Sequence, residues 1–250
     1  MKKVVDYVTA CHGYSERRAC ALTRQHRSTQ RKPTRRNPRL ELRQRMHEIA
    51  KTRISYGYRR IQIMLRREGW PISRNLVYRL YREEGLALRS KRPRRRKMIV
   101  HREARVKPSR PNQVWSLDFV HDQLSGGQKF RILTVVDVYS REGLATEVDY
   151  RLRAENVVEV LNRLVRQRGA PKFLFADNAF IETFNGSLRD ECLNLHWFDN
   201  LAEAKRLIEA WRIDYNVSRP HMGIGNIPPR EYALQVKLLE KNTGSDAARN

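Results

Sequence analysis

The hydrophobic period changes along this chain, and that change limits what it can fold into. Between residues 40 and 85 apolar side chains recur at three- and four-residue steps, as amphipathic helices require. From residue 112 they follow short runs rich in Val, Ile and Thr, with strand alternation, and later return to helical stripes. The chain therefore reads as an all-α region followed by a mixed α/β domain.

In the first region Leu42, Met46, Ile49 and Ala50 mark a helix ending near Gly57. Tyr58, Ile61, Met64 and Leu65 mark a second, stopped by Gly69 and Pro71. Ser73 is the expected N-cap of a third, carrying Leu76, Val77, Leu80 and Tyr81 and ending at Gly85. Two short helices joined by Gly-Trp-Pro-Ile-Ser resemble a helix-turn-helix, whose second helix enters the major groove. Arg74, Asn75 and Arg79 then suit base edges and phosphates, with Arg59 and Arg60 on the preceding helix. A small helical bundle with a solvated basic face is the alternative. Residues 1–39 are short periodic pieces broken by Pro33 and Pro38.

Charge weighs between those readings. The chain has 51 Lys plus Arg and 27 Asp plus Glu, a net of +24. Residues 1–107 hold 32 basic and 8 acidic side chains, leaving 19 of each in residues 108–250, so the whole excess lies upstream. Such a block attracts polyphosphate by Coulomb forces and counterion release, which favours nucleic acid over an acidic protein partner. The run Lys91–Lys97 extends it, and residues 99–111 read as a linker. No apolar run suits a membrane span, the N-terminal stretch lacks the apolar core of a signal peptide, and three cysteines make no disulfide scaffold. Membrane and secreted classes are disfavoured. Cys11, His12, Cys20 and His26 fit no usual zinc spacing, and helix packing is the simpler role for the cysteines.

The second region opens with Val114–Val120, then a hairpin through Ser125-Gly126-Gly127 into Phe130–Val138, and a third strand at Leu144–Val148. A helix through Val157, Leu161 and Leu164, closed by Gly169, precedes a fourth strand at 172–176. Ile181, Phe184 and Leu188 form the next helical stripe, and a final helix starts at the box Asn200-x-x-Glu203. The order is β-β-β-α-β-α-α.

Three carboxylates stand out. Asp118 lies mid-strand on the face of Ser116 and Val120, where a carboxylate must be paired, solvated or cation-bound. Asp177 ends the candidate parallel strand, and Glu182 shares a helix stripe with Asn185 and Arg189. Together they could gather Mg²⁺ ions for two-metal phosphodiester displacement. The duller readings are a satisfied strand polar residue, a turn residue and a charge at a helix N-terminus. Asp137 is the rival carboxylate, better suited to a turn or salt bridge. Arg219-Pro220-His221 either contacts DNA or ends a helix, and solvent-facing Arg189 suits a phosphate better than its alternative, an internal pair.

Trp115-Ser-Leu-Asp118-Phe, Val136-Asp137-Val-Tyr-Ser140-Arg141-Glu142, Asn178-Ala-Phe-Ile-Glu182-Thr-Phe-Asn185-Gly186-Ser-Leu-Arg189-Asp190-Glu191-Cys192 and Tyr215-Asn216-x-x-Arg219-Pro220-His221 resemble the orfB-type transposases of the insertion-sequence-three family, which contain the integrase catalytic core. Ser15-x-Arg17-Arg18-Ala19-Cys20 and Gly57-Tyr58-Arg59-Arg60-Ile61 match the family's DNA-binding half.

The resemblance implies a ribonuclease-H-like core, Mg²⁺ or Mn²⁺, and Asp118, Asp177 and Glu182 as catalytic metal ligands. It implies strand cleavage followed by strand transfer. Its partners would be duplex DNA (element terminal repeats and target) and further copies of the chain assembled on DNA. An upstream reading-frame product stays open as another, and the location implied is the bacterial cytoplasm, at the nucleoid. Only residues 178–181 separate Asp177 from Glu182, where the family has a much longer segment. The core at 112–235 is therefore expected to lack roughly thirty residues after 177, including a fifth strand, leaving the fourth with an open edge. The expected divisions are 1–39, 40–98, 99–111, 112–235 and a flexible tail at 236–250. A catalytically dead DNA-binding remnant that occupies element ends is the competing function.

Overall fold

The computed structural model describes residues 1–32, 39–88, 106–176 and 179–247, with side chains as far as 239. Asp177, the basic run Lys91–Lys97, Pro33 and Pro38, and the first part of the linker lie outside the described residues. The chain divides into two compact units, Met1–Leu42 and Arg43–Asn250.

In the first unit, α1 (Lys2–His12) and α2 (Glu16–Leu22) share a small core of Val5, Ala19 and Cys20, and α3 (Arg27–Arg31) follows. Ser15 caps α2 by accepting the Arg18 N–H at 3.4 Å. Cys20 is buried in this core, Cys11 is exposed, and His26 caps α3.

The second unit contains most of α4 (Leu40–Thr52), then α5 (Tyr58–Arg67) and α6 (Arg74–Glu83). The first of these stops at Thr52, short of the expected end near Gly57, because Gly57 instead serves as N-cap of α5. Ile61 and Leu65 on α5 and Val77, Leu80 and Tyr81 on α6 are buried, the positions their helical spacing predicts. The Ser73 hydroxyl accepts the Leu76 N–H at 3.3 Å and caps α6. Arg45 pairs with Glu68 at 2.7 Å and Arg43 pairs with Glu84, tying α4 to the ends of the two helices.

The core sheet runs β3 (Gly143–Asp149), β2 (Lys129–Asp137), β1 (Val114–Gln123), β4 (Phe173–Ala176). The first three are antiparallel neighbours, and β4 lies parallel to β1 from Val114↔Phe173 to Leu117↔Ala176. That mixed order is the expected ribonuclease-H-like arrangement. Among the described residues β4 has no second neighbour, and its Leu174 and Phe175 are exposed.

Side-chain alternation feeds both faces. Trp115, Leu133, Val135 and Leu144 pack with Val160 and Leu164 of α7 (Ala154–Arg168). On the other face Val120, Ile132, Val136 and Val148 meet α8 (Ala179–Glu191) and α9 (Leu201–Val217) through Phe184, Leu188, Ile208 and Trp211. The layers approach closely at Gly143, where a Cβ would lie 2.6 Å from Phe184 Cε2. Asn216 of α9 fastens the same residue, accepting the Gly143 N–H at 2.8 Å and donating to its carbonyl at 2.9 Å.

The expected box at Asn200 differs in detail. Asn200 accepts the Glu203 N–H at 2.9 Å, but the Glu203 carboxylate takes the N–H of Asp199, not Asn200. Nor is α9 the last helix. A further one, α10 (Pro229–Ala247), occupies most of the expected tail at 236–250. Pro229 opens it at the first helical position, where a missing N–H costs nothing. Its Leu234, Leu238 and Leu239 are exposed, and its inward side holds only Pro229 and Ala233 buried with Tyr232 and Val236 half-buried, a short stripe that the exposed leucines mask in the sequence.

Candidate functional site

Asp118 stands near the middle of β1, opposite Thr134 of β2, on the sheet face covered by α8. Its two carboxylate oxygens have different partners. Oδ1 accepts its neighbour's N–H, Phe119, at 2.7 Å, and Oδ2 accepts Asn185 Nδ2 from α8 at 2.8 Å. The side chain is half-buried, so the charge is braced on one flank and reachable on the other. Asn185 Oδ1 and Ser116 Oγ, both on this side of β1, are buried without a hydrogen-bond partner among the described residues.

Glu182 lies in the first turn of α8, one turn before Asn185 and on the same stripe, and is exposed. Arg189, one turn after Asn185, donates to the His121 carbonyl at 3.1 Å. Arg189 is thus exposed but anchored to β1. No group of three or more His, Cys, Asp or Glu among the described residues could hold a metal ion.

Asp137 is a turn residue. It is 2% exposed and accepts backbone N–H groups from Asn112 at 2.6 Å and Tyr139 at 2.8 Å. Burial raises its pKa and those N–H bonds oppose the rise. Glu142, six per cent exposed, forms a bidentate pair with Arg168 at 2.7 Å.

On α6, Arg74, Asn75, Arg79 and Arg82 are exposed together with Tyr78. Arg79 lies 3.6 Å from Glu83. Arg59 on α5 is exposed beside Tyr58, whereas Arg60 turns inward and is half-buried against the Tyr56 ring at 5.4 Å. Arg60 therefore differs from its expected place on the outer face. The helical region also grips the core, through Arg53 with Asp214, Ser55 with Glu191, and Arg67 with Glu231 at 2.8 Å. Sequence reading did not find Asn185 as the partner of Asp118 or Glu191 as a junction. Glu191 collects Ser55, Arg219 and, at 3.4 Å, Trp211. Only the shared stripe of Glu182 and Asn185 could have hinted at the first.

A family model described as an integrase core domain matches residues 167–229, and one described as an HTH-like domain matches residues 38–96. The chain is 40% identical to the "Insertion element IS407 uncharacterized 31.7 kDa protein" of Burkholderia multivorans over 255 residues, covering 88% of this chain and 91% of the relative. It is 35% identical to the "Insertion element IS476 uncharacterized 39.2 kDa protein" of Xanthomonas euvesicatoria, covering 91% and 75%. Identity to "Transposase InsD for insertion element IS2D" of Escherichia coli is 26%, covering 76% and 77%. Among solved structures, the HTLV-2 integrase catalytic core domain in complex with magnesium matches with a TM-score of 0.41 and 14% identity, over 51% of this chain and 99% of that one.

Proposed function

The chain belongs to the insertion-sequence-three family of insertion-element transposases, orfB type, with an integrase core and a helix-turn-helix region, and from that premise we propose that it cleaves and joins DNA strands at element ends in a metal-dependent reaction. The observation that carries this reading is the bond from Asn185 to Asp118, which lays the stripe bearing Glu182 along the strand bearing Asp118. Leu117 and Ala176 are the last registered pair of β1 and β4, and Asp118 and Asp177 are the next residues in sequence after each. Asp118, Asp177 and Glu182 would hold Mg²⁺ or Mn²⁺, and their hard oxygen donors suit such ions. Ions of that kind, when bound, activate an attacking oxygen and stabilise a leaving one.

The residues of the chain divide the remaining work. Asn185 keeps Oδ2 of Asp118 fixed beside the helix stripe that bears Glu182. Exposed Arg74, Asn75 and Arg79 on α6 would read and grip duplex DNA, with Arg59 on phosphate. Arg189, held along β1, would lie beside the strand being cut. Water attacks a phosphodiester at the element end, and the freed 3′ hydroxyl then attacks a second strand. Further copies of the chain would assemble on the DNA.

A second reading has its own support. Residues 178–181 alone connect Asp177 to Glu182, and β4 is an edge strand among the described residues. The match to the Burkholderia protein extends over 255 residues, whereas 88% of this chain is about 220, which supports a segment missing here. On this reading the chain is a DNA-binding remnant that occupies element ends without cutting them. Cleavage of a labelled terminal-repeat duplex in Mg²⁺ or Mn²⁺, lost in Asp118→Ala, supports the transposase. Duplex binding with no cleavage by the unaltered chain refutes it in favour of the remnant.

A further inference from the structure

We propose that Arg60, Arg141, Arg219 and His221 form a seat for one phosphate group of the DNA backbone, placed where the helical region meets the core. This deepens the DNA-processing reading and rests on it. Arg219 is 5% exposed; one end of its guanidinium pairs with Glu191 and donates to Ser187 Oγ at 3.1 Å. Its Nε is buried without a partner among the described residues, and the same holds for Arg141 Nη1 and His221 Nε2. Three unmatched nitrogens in one neighbourhood leave donors to spare for an anion.

Tyrosine rings hold the cations together. The Arg219 guanidinium lies 5.4 Å from the Tyr215 centroid and 6.0 Å from that of Tyr56, and Arg60 lies 5.4 Å from Tyr56. The His221 ring is 4.8 Å from Tyr215. Arg141, on the turn between β2 and β3, stacks 3.3 Å from the Phe180 centroid, two residues before Glu182. Opposing charge comes from Glu191 beside Arg219 and Asp137 near Arg141. Burial, then Arg219, lowers the pKa of Arg60, and burial lowers that of Arg141. Burial, with Arg219, Arg60 and Arg141 adding to it, pushes His221 down to about 3, so its ring is neutral and can donate one N–H.

Excess positive charge in a half-desolvated cluster is relieved by an anion with several acceptor oxygens, which is the chemistry of a phosphodiester. Arg60 comes from α5 and Arg141 from the turn beside α8. A phosphate bridging them would link DNA held by the helical region to the strand lying at the core.

The test uses the full chain with two probes, inorganic phosphate and a short duplex, while the His221 ring is followed by NMR across pH. Either probe in the seat raises the His221 pKa toward its ordinary value. Arg60→Gln and Arg141→Gln should each lower the slope of log affinity against log salt for the duplex by about 1. An unmoved His221 signal with both probes, or duplex binding whose slope neither variant changes, overturns the seat and leaves the transposase reading standing. Phosphate that moves His221 while no duplex binds supports an anion seat but overturns its assignment to DNA, and with it the functional reading.

Discussion

Asn216→Ala should be among the costliest single truncations in the core, and the structure gives the size. Asn216 is 4% exposed and clasps the backbone of Gly143 in both directions, at 2.8 and 2.9 Å. Truncation leaves the Gly143 N–H buried without an acceptor, a loss of about 1–3 kcal/mol. The Gly143 carbonyl keeps Arg212 Nη1 at 2.7 Å, so the second lost bond counts only at its ordinary net value, about 0.5–1.5 kcal/mol. The expected total is about 3 kcal/mol, a large share of the roughly 5–15 kcal/mol that stabilises a typical domain. Urea unfolding measures it as a lower midpoint with an unchanged slope. Asn162→Ala on the exposed side of α7 is the control and should stay within about 0.5 kcal/mol. If Asn216→Ala costs no more than that control, the clasp is not what fastens α9 to β3.

Other outcomes follow from neighbouring contacts. Gly143→Ala should destabilise by about 1–3 kcal/mol, because its Cβ would sit 2.6 Å from Phe184 Cε2, and a thermal melt would register the drop. Ser73→Ala removes the cap of α6 and should cost about 1 kcal/mol, read by thermal unfolding; an unchanged midpoint would deny the cap. His221 has a folded pKa of about 3 and an ordinary value of 6.5, so the unfolded chain binds the extra proton between those limits. Its contribution is therefore complete above pH 6.5 and fades as pH falls toward 3. Asp137, with its pKa raised by burial, acts in the opposite sense, so the difference between the unaltered chain and His221→Gln isolates the histidine. That difference should narrow by a few kcal/mol at most on acidification, and a constant difference would contradict the assignment.

Much of this architecture is legible in the order of the residues alone. Strand alternation around Asp118 and the stripe Ile181, Phe184, Leu188 each follow from local spacing, and both elements appear where that spacing puts them. Ser73 is recognisable because a cap is a local event. What escapes is the long-range pairing. Nothing periodic links Asn185 to Asp118, Asn216 to Gly143, or Arg219 to Glu191, since each pair joins elements brought together only by packing. Arg60 shows the same limit: its neighbours in sequence are exposed or buried by helical phase, but its inward turn depends on Tyr56. The last helix, α10, sets exposed leucines beside a short inward stripe of Pro229, Tyr232, Ala233 and Val236, so its hydrophobic pattern has no clear phase.

Carboxylates from β1 and α8 would serve one divalent-ion site. Binding of Mn²⁺ to the full chain, followed by electron paramagnetic resonance in parallel with Asp118→Asn and Glu182→Gln, addresses it without requiring turnover. A shared site predicts a bound-ion signal that each substitution weakens about tenfold or more, with the fold retained by circular dichroism. Equal Mn²⁺ binding by all three proteins would contradict it.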